Sequence, residues 1–298
     1  MKIYTIIVTY NGIQWIDFCL KSLRQSSVQT TPIIIDNCST DGTTQYIRNN
    51  YPEAIMFVQS KNQGFGQANN IGLCYALENN ADYVLLLNQD AAIAPNMLEL
   101  CLAQSDEKSL LSPVHMNGDG TRVDNSFRES SLIKCSDLIN DTFAGNVKSY
   151  YSCGEICAAC WLIPIAIIKQ IGGFNPLFFH YSEDNNYYHR LVYHQISIRL
   201  VPQARMFHDR VEYGNEIAYN KQWLPGQLML IATNINLTTL QRITKYIHTL
   251  WQCYRYKLPK GQYKIGTFLI CTIKLIAYSF LIRQSRLAEK QKSTTYLK

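Results

Sequence analysis

The chain has 298 residues, 47% of them hydrophobic and 17% charged, with no internal repeat or low-complexity tract, a composition that excludes intrinsic disorder. Its net charge of +6 is unevenly spread: from Leu240 onward twelve Lys or Arg stand against one acid, Glu289, giving +11, and the first 239 residues carry 16 bases against 21 acids, giving −5. A mildly acidic body with a basic tail suits an anionic partner for the tail, a membrane surface or nucleic acid, or else a solvated basic face.

The first hundred residues alternate between short β-branched runs and amphipathic stretches, the pattern of βαβ units. "MKIYTIIVTYNG" reads as a strand over 3–9 turned at Tyr10-Asn11-Gly12, not as a secretory leader, because the apolar run is short and no small-residue cleavage site follows. The spacing then predicts a helix over 13–25, a strand over 32–35, and a helix over 43–50 capped by Ser39, Thr40 or Asp41. A strand over 55–59, a loop at "KNQGFGQ", a helix over 68–79, a strand over 83–87 and a helix over 95–103 follow. Residues 106–150 are polar and read as a long irregular excursion that covers a site. "CAACWLIPIAIIKQIGGF" predicts a strand and then a short helix from Pro164 to the Gly172-Gly173 stop. A helix is expected in the second half of "FFHYSEDNNYYHRLVYHQ", a strand at "ISIRLVP", and helices beyond residue 215. The class is α/β, a doubly wound sheet over 1–215 with a helical, basic extension over 216–298.

Three polar clusters follow apolar elements: 36–41 (DNCSTD), Asn88-Gln89-Asp90 and Glu183-Asp184. Each alone fits turn and helix-cap chemistry. Together they gather carboxylates where the crevice of an open α/β sheet binds ligands. A diphosphate with a divalent cation needs hard oxygens, and a further carboxylate can serve as a base.

"TIIVTYNG", "IIIDNCSTDGT", "NQGFGQANNIG", "LLLNQDAAI" and "GGFNPLFFHYSEDNNYYHR", in that order over roughly residues 3 to 210, resemble family 2 glycosyltransferases of GT-A fold. The subgroup it most resembles contains bacterial rhamnosyltransferases of polysaccharide assembly. The resemblance implies a mixed, mainly parallel sheet flanked by helices, and inverting transfer from a nucleotide-diphosphate sugar (dTDP-rhamnose, a UDP-sugar or a GDP-sugar) to a glycan or polyprenyl-linked acceptor. It implies nucleoside contacts from Thr9, Tyr10 and Asp36, with 62–70 lining the base or ribose; Asn69 stands where many relatives carry a basic residue. Asn88-Gln89-Asp90 falls on the Asp-x-Asp slot without its first acid, leaving Asp90 as main ligand of Mg²⁺ or Mn²⁺. Glu183-Asp184 falls on the acidic pair whose second member resembles the general base, and His208 where some relatives supply a third contact to metal or diphosphate. The replaced acid at Asn88 keeps open a degenerate nucleotide-sugar or glycan-binding module of the same fold.

Ten cysteines without an export signal read as mostly small buried thiols of a reducing compartment. Cys153, Cys157 and Cys160 have the C-x₃-C-x₂-C spacing of radical S-adenosylmethionine iron–sulfur enzymes, the remote alternative. That motif belongs near the start of a barrel, and only 138 residues follow Cys160, so these read as packing cysteines. His180, His189 and His194 match no standard zinc spacing. In the tail, Leu240, Ile243, Ile247, Leu250 and Tyr254 recur at helical spacing, and 265–282 is apolar but for Lys274. Flanked by bases, that stretch reads as an in-plane anchor on anionic lipid, with a packed helical pair as the other reading. No nucleic-acid motif appears. The expected location is cytoplasmic, peripheral on the inner face of the membrane.

Overall fold

The computed structural model describes residues 1–209, 223–253, 255 and 265–297. β1 (Ile3–Thr9), α1 (Ile13–Arg24), β2 (Thr31–Asp36), α2 (Thr43–Asn50), β3 (Ile55–Val58), α3 (Phe65–Glu78) and β4 (Tyr83–Leu87) follow one another as expected. β1 pairs in parallel with both β2 and β4, and β2 with β3. Side chains alternate across the strands. Tyr4 and Ile6 join Ile33, Ile35, Val84 and Leu86 in the layer against α3. Ile7, Ile34, Leu85 and Leu87 join the opposite layer against α1. Burial on both faces explains why these strands read as continuous apolar runs. α3 begins three residues before the expected 68, taking Phe65 and Gly66 into its first turn, because Gly66 lets that turn lie against Phe174, 2.9 Å from where a Cβ would stand.

Residues 106–150 are not the irregular excursion the sequence predicts. After β5 (Ala91–Ile93) and α4 (Met97–Leu102), β6 (Ser109–Asn117) is a nine-residue strand inside the sheet. Its apolar run is broken by Ser109, Ser112 and His115, all buried and hydrogen-bonded: Ser109 to Ser197 at 2.8 Å, Ser112 to His115 at 3.3 Å. Satisfied polar residues cost a core strand little, but they hide it from a hydrophobic pattern. α5 (Asn125–Ser130), a 3-10 turn at Leu132–Lys134 and α6 (Ser136–Ala144) lead to β7 (Tyr151–Cys153), β8 (Cys160–Pro164), α7 (Ile165–Ile171), α8 (Glu183–Tyr193) and β9 (Ser197–His208). The sheet order is β3-β2-β1-β4-β8-β6-β9-β5, with β7 also on β9. β8 is antiparallel to β4 and β6, and β6 is parallel to β9. β9 runs past the expected stop at Pro202: the register shifts after Pro113, from Pro113↔Val201 to Val114↔Arg205, and the ladder resumes to His208.

The cysteine expectation needs correction. Cys135 and Cys153 form a disulfide joining the start of α6 to β7. Cys160 lies buried in the α1 layer, and Cys157 packs at its edge beside His115. With Cys153 bonded elsewhere, the three thiols do not form a cluster site, and no group of three His, Cys, Asp or Glu among the described residues is placed to hold a metal ion.

α9 (Trp223–Thr233), α10 (Thr239–Gln252), α11 (Ile265–Ala277) and α12 (Ser279–Glu289) form the extension. The expected boundary at 215/216 lies outside the described residues, as do Tyr254, Lys257, Lys260 and Lys264. α10 opens on a capping box: Gln241 N–H donates to Thr238 Oγ1 and Thr238 N–H to Gln241 Oε1. Leu224, Leu228, Cys253 and Cys271 build a small core of its own. No single helix among the described residues is long and apolar enough to cross a membrane; Phe268–Ala277 and Ser279–Glu289 pass that test only together, across a 60° bend. The chain then returns to the sheet. Gly173 N–H donates to Thr295 O at 2.9 Å, Ser293 N–H to Gln170 O at 2.9 Å, and Leu297 is buried in the α3 layer. Gly172, at φ +75°, admits this strap because a Cβ there would stand 2.0 Å from Thr295 O. Leu297→Ala is expected to cost about 2 kcal/mol, the low end for a buried leucine, seen as a lower urea midpoint at unchanged m value. An unchanged midpoint would mean that the strap contributes no packing.

Candidate active site

The tips of β1, β2 and β4 are locked together by polar side chains. Thr9 Oγ1 donates to Asp36 Oδ1 at 3.0 Å, and Ser39 N–H donates to Asp36 Oδ2 at 3.0 Å, with Thr9 and Asp36 fully buried. Asn11 Oδ1 accepts from Thr40 N–H, and Asp41 accepts from Ile13 N–H, so the turns after β1 and β2 hold each other. Asn37 spans to the α3 loop, donating to Gly64 O and accepting from Gln63 N–H. Of the residues expected at the nucleoside, Thr9 and Asp36 are thus fully buried in this network, whereas Tyr10 is 49% exposed.

Gln89 is the bracket between β1 and β4. Its Oε1 accepts from Tyr10 N–H at 2.9 Å and its Nε2 donates to Tyr10 O at 3.3 Å. A Cβ on Gly12 would lie 2.2 Å from Gln89 Oε1, so the glycine makes room for that amide. The Gln89 amide thus positions the tips of β1 and β4 against each other. Asn88 is held by its backbone, its N–H donating to Ala159 O at 3.0 Å. Asn69 is buried on α3, with Nδ2 donating to Phe65 O. Its neighbour Asn70 is also structural: its amide accepts from Phe174 N–H and donates to Phe174 O, tying α3 to the loop before α8.

Asp90, just before β5, and His208, at the end of β9, lie side by side. The ladder sets Ala91 opposite His208, and His208 Nε2 lies 3.2 Å from Asp90 Oδ1, with Asp209 N–H donating to Asp90 O. His208 is buried, its Nδ1 has no hydrogen-bond partner, and the Asp90 side chain stays 22% exposed. A carboxylate oxygen and an imidazole at a strand tip fit a divalent cation that takes its remaining ligands from a diphosphate and water.

Glu183 and Asp184 do not follow a strand. They open α8, where the helix N-terminus favours negative charge. The chain reaches them through Tyr181 and Ser182, both left-handed at φ +67° and +73°, a conformation that costs on the order of 1–3 kcal/mol for a non-glycine residue and clusters at functional sites. Glu183 is buried, its Oε2 has no hydrogen-bond partner, and burial with the Asp184 charge beside it pushes its pKa up to about 8. Asp184 is half-buried and accepts from Asn185 N–H at 2.8 Å. Burial raises its pKa too, with the Glu155 charge adding to the effect, against the opposing donors of Asn185 and the Ala158 backbone. Ala158 faces Asp184 while Ala159 holds Asn88, so this pair of small residues links the acidic helix start to the Asp90 tip.

Arg190, missed by sequence reasoning, sits fully buried on α8 and donates to Gly173 O. Its guanidinium lies 5.2 Å from the Tyr187 ring and 5.4 Å from Tyr296 of the C-terminal strap. The signal was present, since position i+7 from Glu183 shares its helix face. His189 and His194 are held on α8 by Asn234 and the Glu289 carbonyl, and His180 is exposed beside Tyr181.

A family model described as glycosyl transferase family 2 matches residues 4–172. The chain is 28% identical over 171 residues to the low-salt glycan biosynthesis hexosyltransferase Agl10 of Haloferax volcanii, a match covering 56% of this chain and 54% of that protein, so it spans about half of that relative's length. It is 24% identical over 230 residues to an N-acetylglucosaminyl-diphospho-decaprenol L-rhamnosyltransferase of Mycobacterium tuberculosis, covering 69% and 75%. The fold is similar to that of the mannosyltransferase PcManGT from Pyrobaculum calidifontis, solved with GDP-Man and Mn²⁺, at a TM-score of 0.57 and 12% identity over 99% of this chain and 84% of that one. With its sheet order, helix placement and residues 4–172 all in agreement, this chain belongs to glycosyl transferase family 2.

Proposed function

We propose that this protein transfers a hexosyl or deoxyhexosyl group from a nucleotide-diphosphate sugar to a hydroxyl of a glycan acceptor, with inversion at the anomeric carbon. The observation that carries the reading is Asp184: a half-buried carboxylate of raised pKa, linked through Ala158 and Ala159 to the Asp90–His208 pair. A donor lying over the floor of Thr9 and Asp36 brings its diphosphate to Asp90 and His208 and its sugar toward α8. Asp184 takes the proton of the acceptor hydroxyl as that oxygen forms the new bond to C1. The bond from C1 to the diphosphate oxygen breaks on the opposite face, the electron pair leaves with the nucleoside diphosphate, and one displacement inverts the centre (compare inverting hydrolases). Asp90 and His208 would hold a divalent cation, which would supply Lewis-acid neutralisation of the departing diphosphate. Glu183, protonated near neutral pH, adds no second negative charge beside the base.

The rhamnosyltransferase relative, whose name carries a diphospho-decaprenol acceptor, supports a rhamnosyl group as the one transferred and a polyprenyl-linked glycan as acceptor, and the donor in this reading is dTDP-rhamnose. Association with an anionic membrane surface is part of the same reading. Leu240, Ile243 and Ile247 on α10, and Ile273, Ile276 and Phe280 on α11 and α12, stand exposed on a basic extension, the combination that seats helices in a lipid interface.

Asp184→Asn is expected to retain donor binding and lose about 10²–10⁴-fold in kcat, the usual worth of a positioned general base; turnover within a few-fold of the parent would remove Asp184 from that role. For Glu183 the sign is set by a folded pKa above the unfolded one. The folded state then binds more protons between about pH 4.5 and about 8, and stability falls as pH rises through that window. Glu183→Gln is therefore expected to raise the thermal midpoint relative to the parent at pH 8.5 and to gain far less at pH 4.5 (pH values about those of the window). An equal effect at both pH values would contradict the buried neutral acid.

A further inference from the structure

α10 and α12 enclose a cleft of about 440 Å³ with an unusual lining. Four cations border it: Arg242 from α10, and Arg283, Arg286 and Lys290 from one side of α12. Leu275, Ile282 and Leu287 give it an apolar floor. Among the described residues none of the four cations has a carboxylate within ion-pair distance. Glu289, the acid whose charge Arg286 feels, is buried and hydrogen-bonded to Asn175 and Tyr296 and makes no ion pair with any of the four cations. Burial and the Arg242 charge in turn lower the pKa of Arg286, against the Glu289 charge that raises it.

The end of α9 explains part of this. Arg242 donates to Ala232 O and Arg286 to Asn234 O and Leu237 O, where cations favour a helix C-terminus. That leaves Arg242 Nε buried without a partner, and leaves Arg283 and Lys290 with neither hydrogen bond nor ion pair to a described residue. The cleft also lies between exposed apolar helix faces. Ile243 and Ile247 are 51% and 59% exposed on α10, and Ile276 and Phe280 are 68% and 67% exposed at the α11–α12 bend. A free phosphate has no use for such faces, whereas a lipid presents an anionic oxygen cluster and a hydrocarbon chain together.

We propose that this cleft holds the phosphate headgroup of a membrane lipid, with Arg242, Arg283, Arg286 and Lys290 around the phosphate and the acyl or prenyl chain over Leu275 and Leu287. The site rests on the peripheral-membrane reading above and narrows it from a basic surface to one cleft. It lies one helix from the acidic pair: α9 packs on Ser182 through Gly226 and holds α8 through Asn234 and His189. A headgroup seated there would fix the height of the catalytic crevice above the lipid plane.

The test is co-sedimentation of the full chain with phosphatidylcholine vesicles, with and without phosphatidylglycerol. The double variant Arg283→Gln/Lys290→Gln is compared with Lys245→Gln/Lys274→Gln, which removes two exposed cations outside the cleft. Donor hydrolysis in solution serves as the check that each variant is folded. The parent is expected to bind only the anionic vesicles, the cleft variant to lose about tenfold or more in affinity, on the order of 1 kcal/mol per cation, and the control to lose much less. Equal losses in the two variants would overturn the cleft and leave a diffuse basic surface. Equal binding of the parent to neutral and anionic vesicles would overturn the cleft but keep the membrane reading, and binding to neither would overturn both. Inorganic pyrophosphate raising the thermal midpoint of the parent but not of the cleft variant, without vesicle binding, would assign the cleft to a soluble phosphate instead of a lipid.

Discussion

The two-way hydrogen bond between the Gln89 side chain and the Tyr10 backbone is the constraint on which the crevice depends. β1 and β4 pair only from Ile3↔Tyr83 to Ile6↔Leu86, and beyond that register their tips have no ladder to hold them. An amide side chain can copy a strand neighbour, accepting from one backbone group and donating to the other, and Gln89 does so three residues past the last pair. Gly12 makes room for it, and Asn11 and Asp41 brace the loop from the β2 side. Asp90 thereby leaves the sheet at a fixed place, where the long β9 can bring His208 to it.

The other half of the site is built on tension. Two adjacent carboxylates at the start of α8 are taken out of water, and the chain enters through two residues in left-handed conformations. Such an arrangement persists only where its surroundings over-determine it. Here they are α3, pinned through Asn70 to the preceding loop, Arg190 beneath the helix, and the strap that closes over Gly172 and Gly173. The extension therefore supports the start of α8 directly. Cation-rich α12 and buried Glu289 belong to one element, so the basic extension and the acidic helix start share a scaffold.

The sequence made the parallel half legible because β1, β2 and β4 are almost wholly buried and read as near-continuous apolar runs. It hid β6, whose Ser109, Ser112 and His115 are satisfied inside the core, and it cut β9 short at Pro202, where the ladder shifts and then resumes. Single letters also concealed how side chains are used. Gln89 and Asn69 sit in motifs from which the family resemblance implies ligand contacts, and here one hydrogen-bonds Tyr10 and the other Phe65. Asp90 with His208 was legible as a pair only through the motif resemblance, since 118 residues separate them. The disulfide between Cys135 and Cys153 was not, because spacing alone leaves cysteine pairing open.

The central claim is that the Asp90–His208 tip receives a cation-bound nucleoside diphosphate. Its most direct test is the thermal midpoint of the full chain against UDP, GDP and dTDP and their sugars, each with and without Mn²⁺, for the parent and for Asp90→Ala. Ligands that bind the native state raise the midpoint by mass action. The account predicts a Mn²⁺-dependent rise with one nucleotide, absent in Asp90→Ala. The same rise in parent and variant, or no dependence on Mn²⁺, would contradict it.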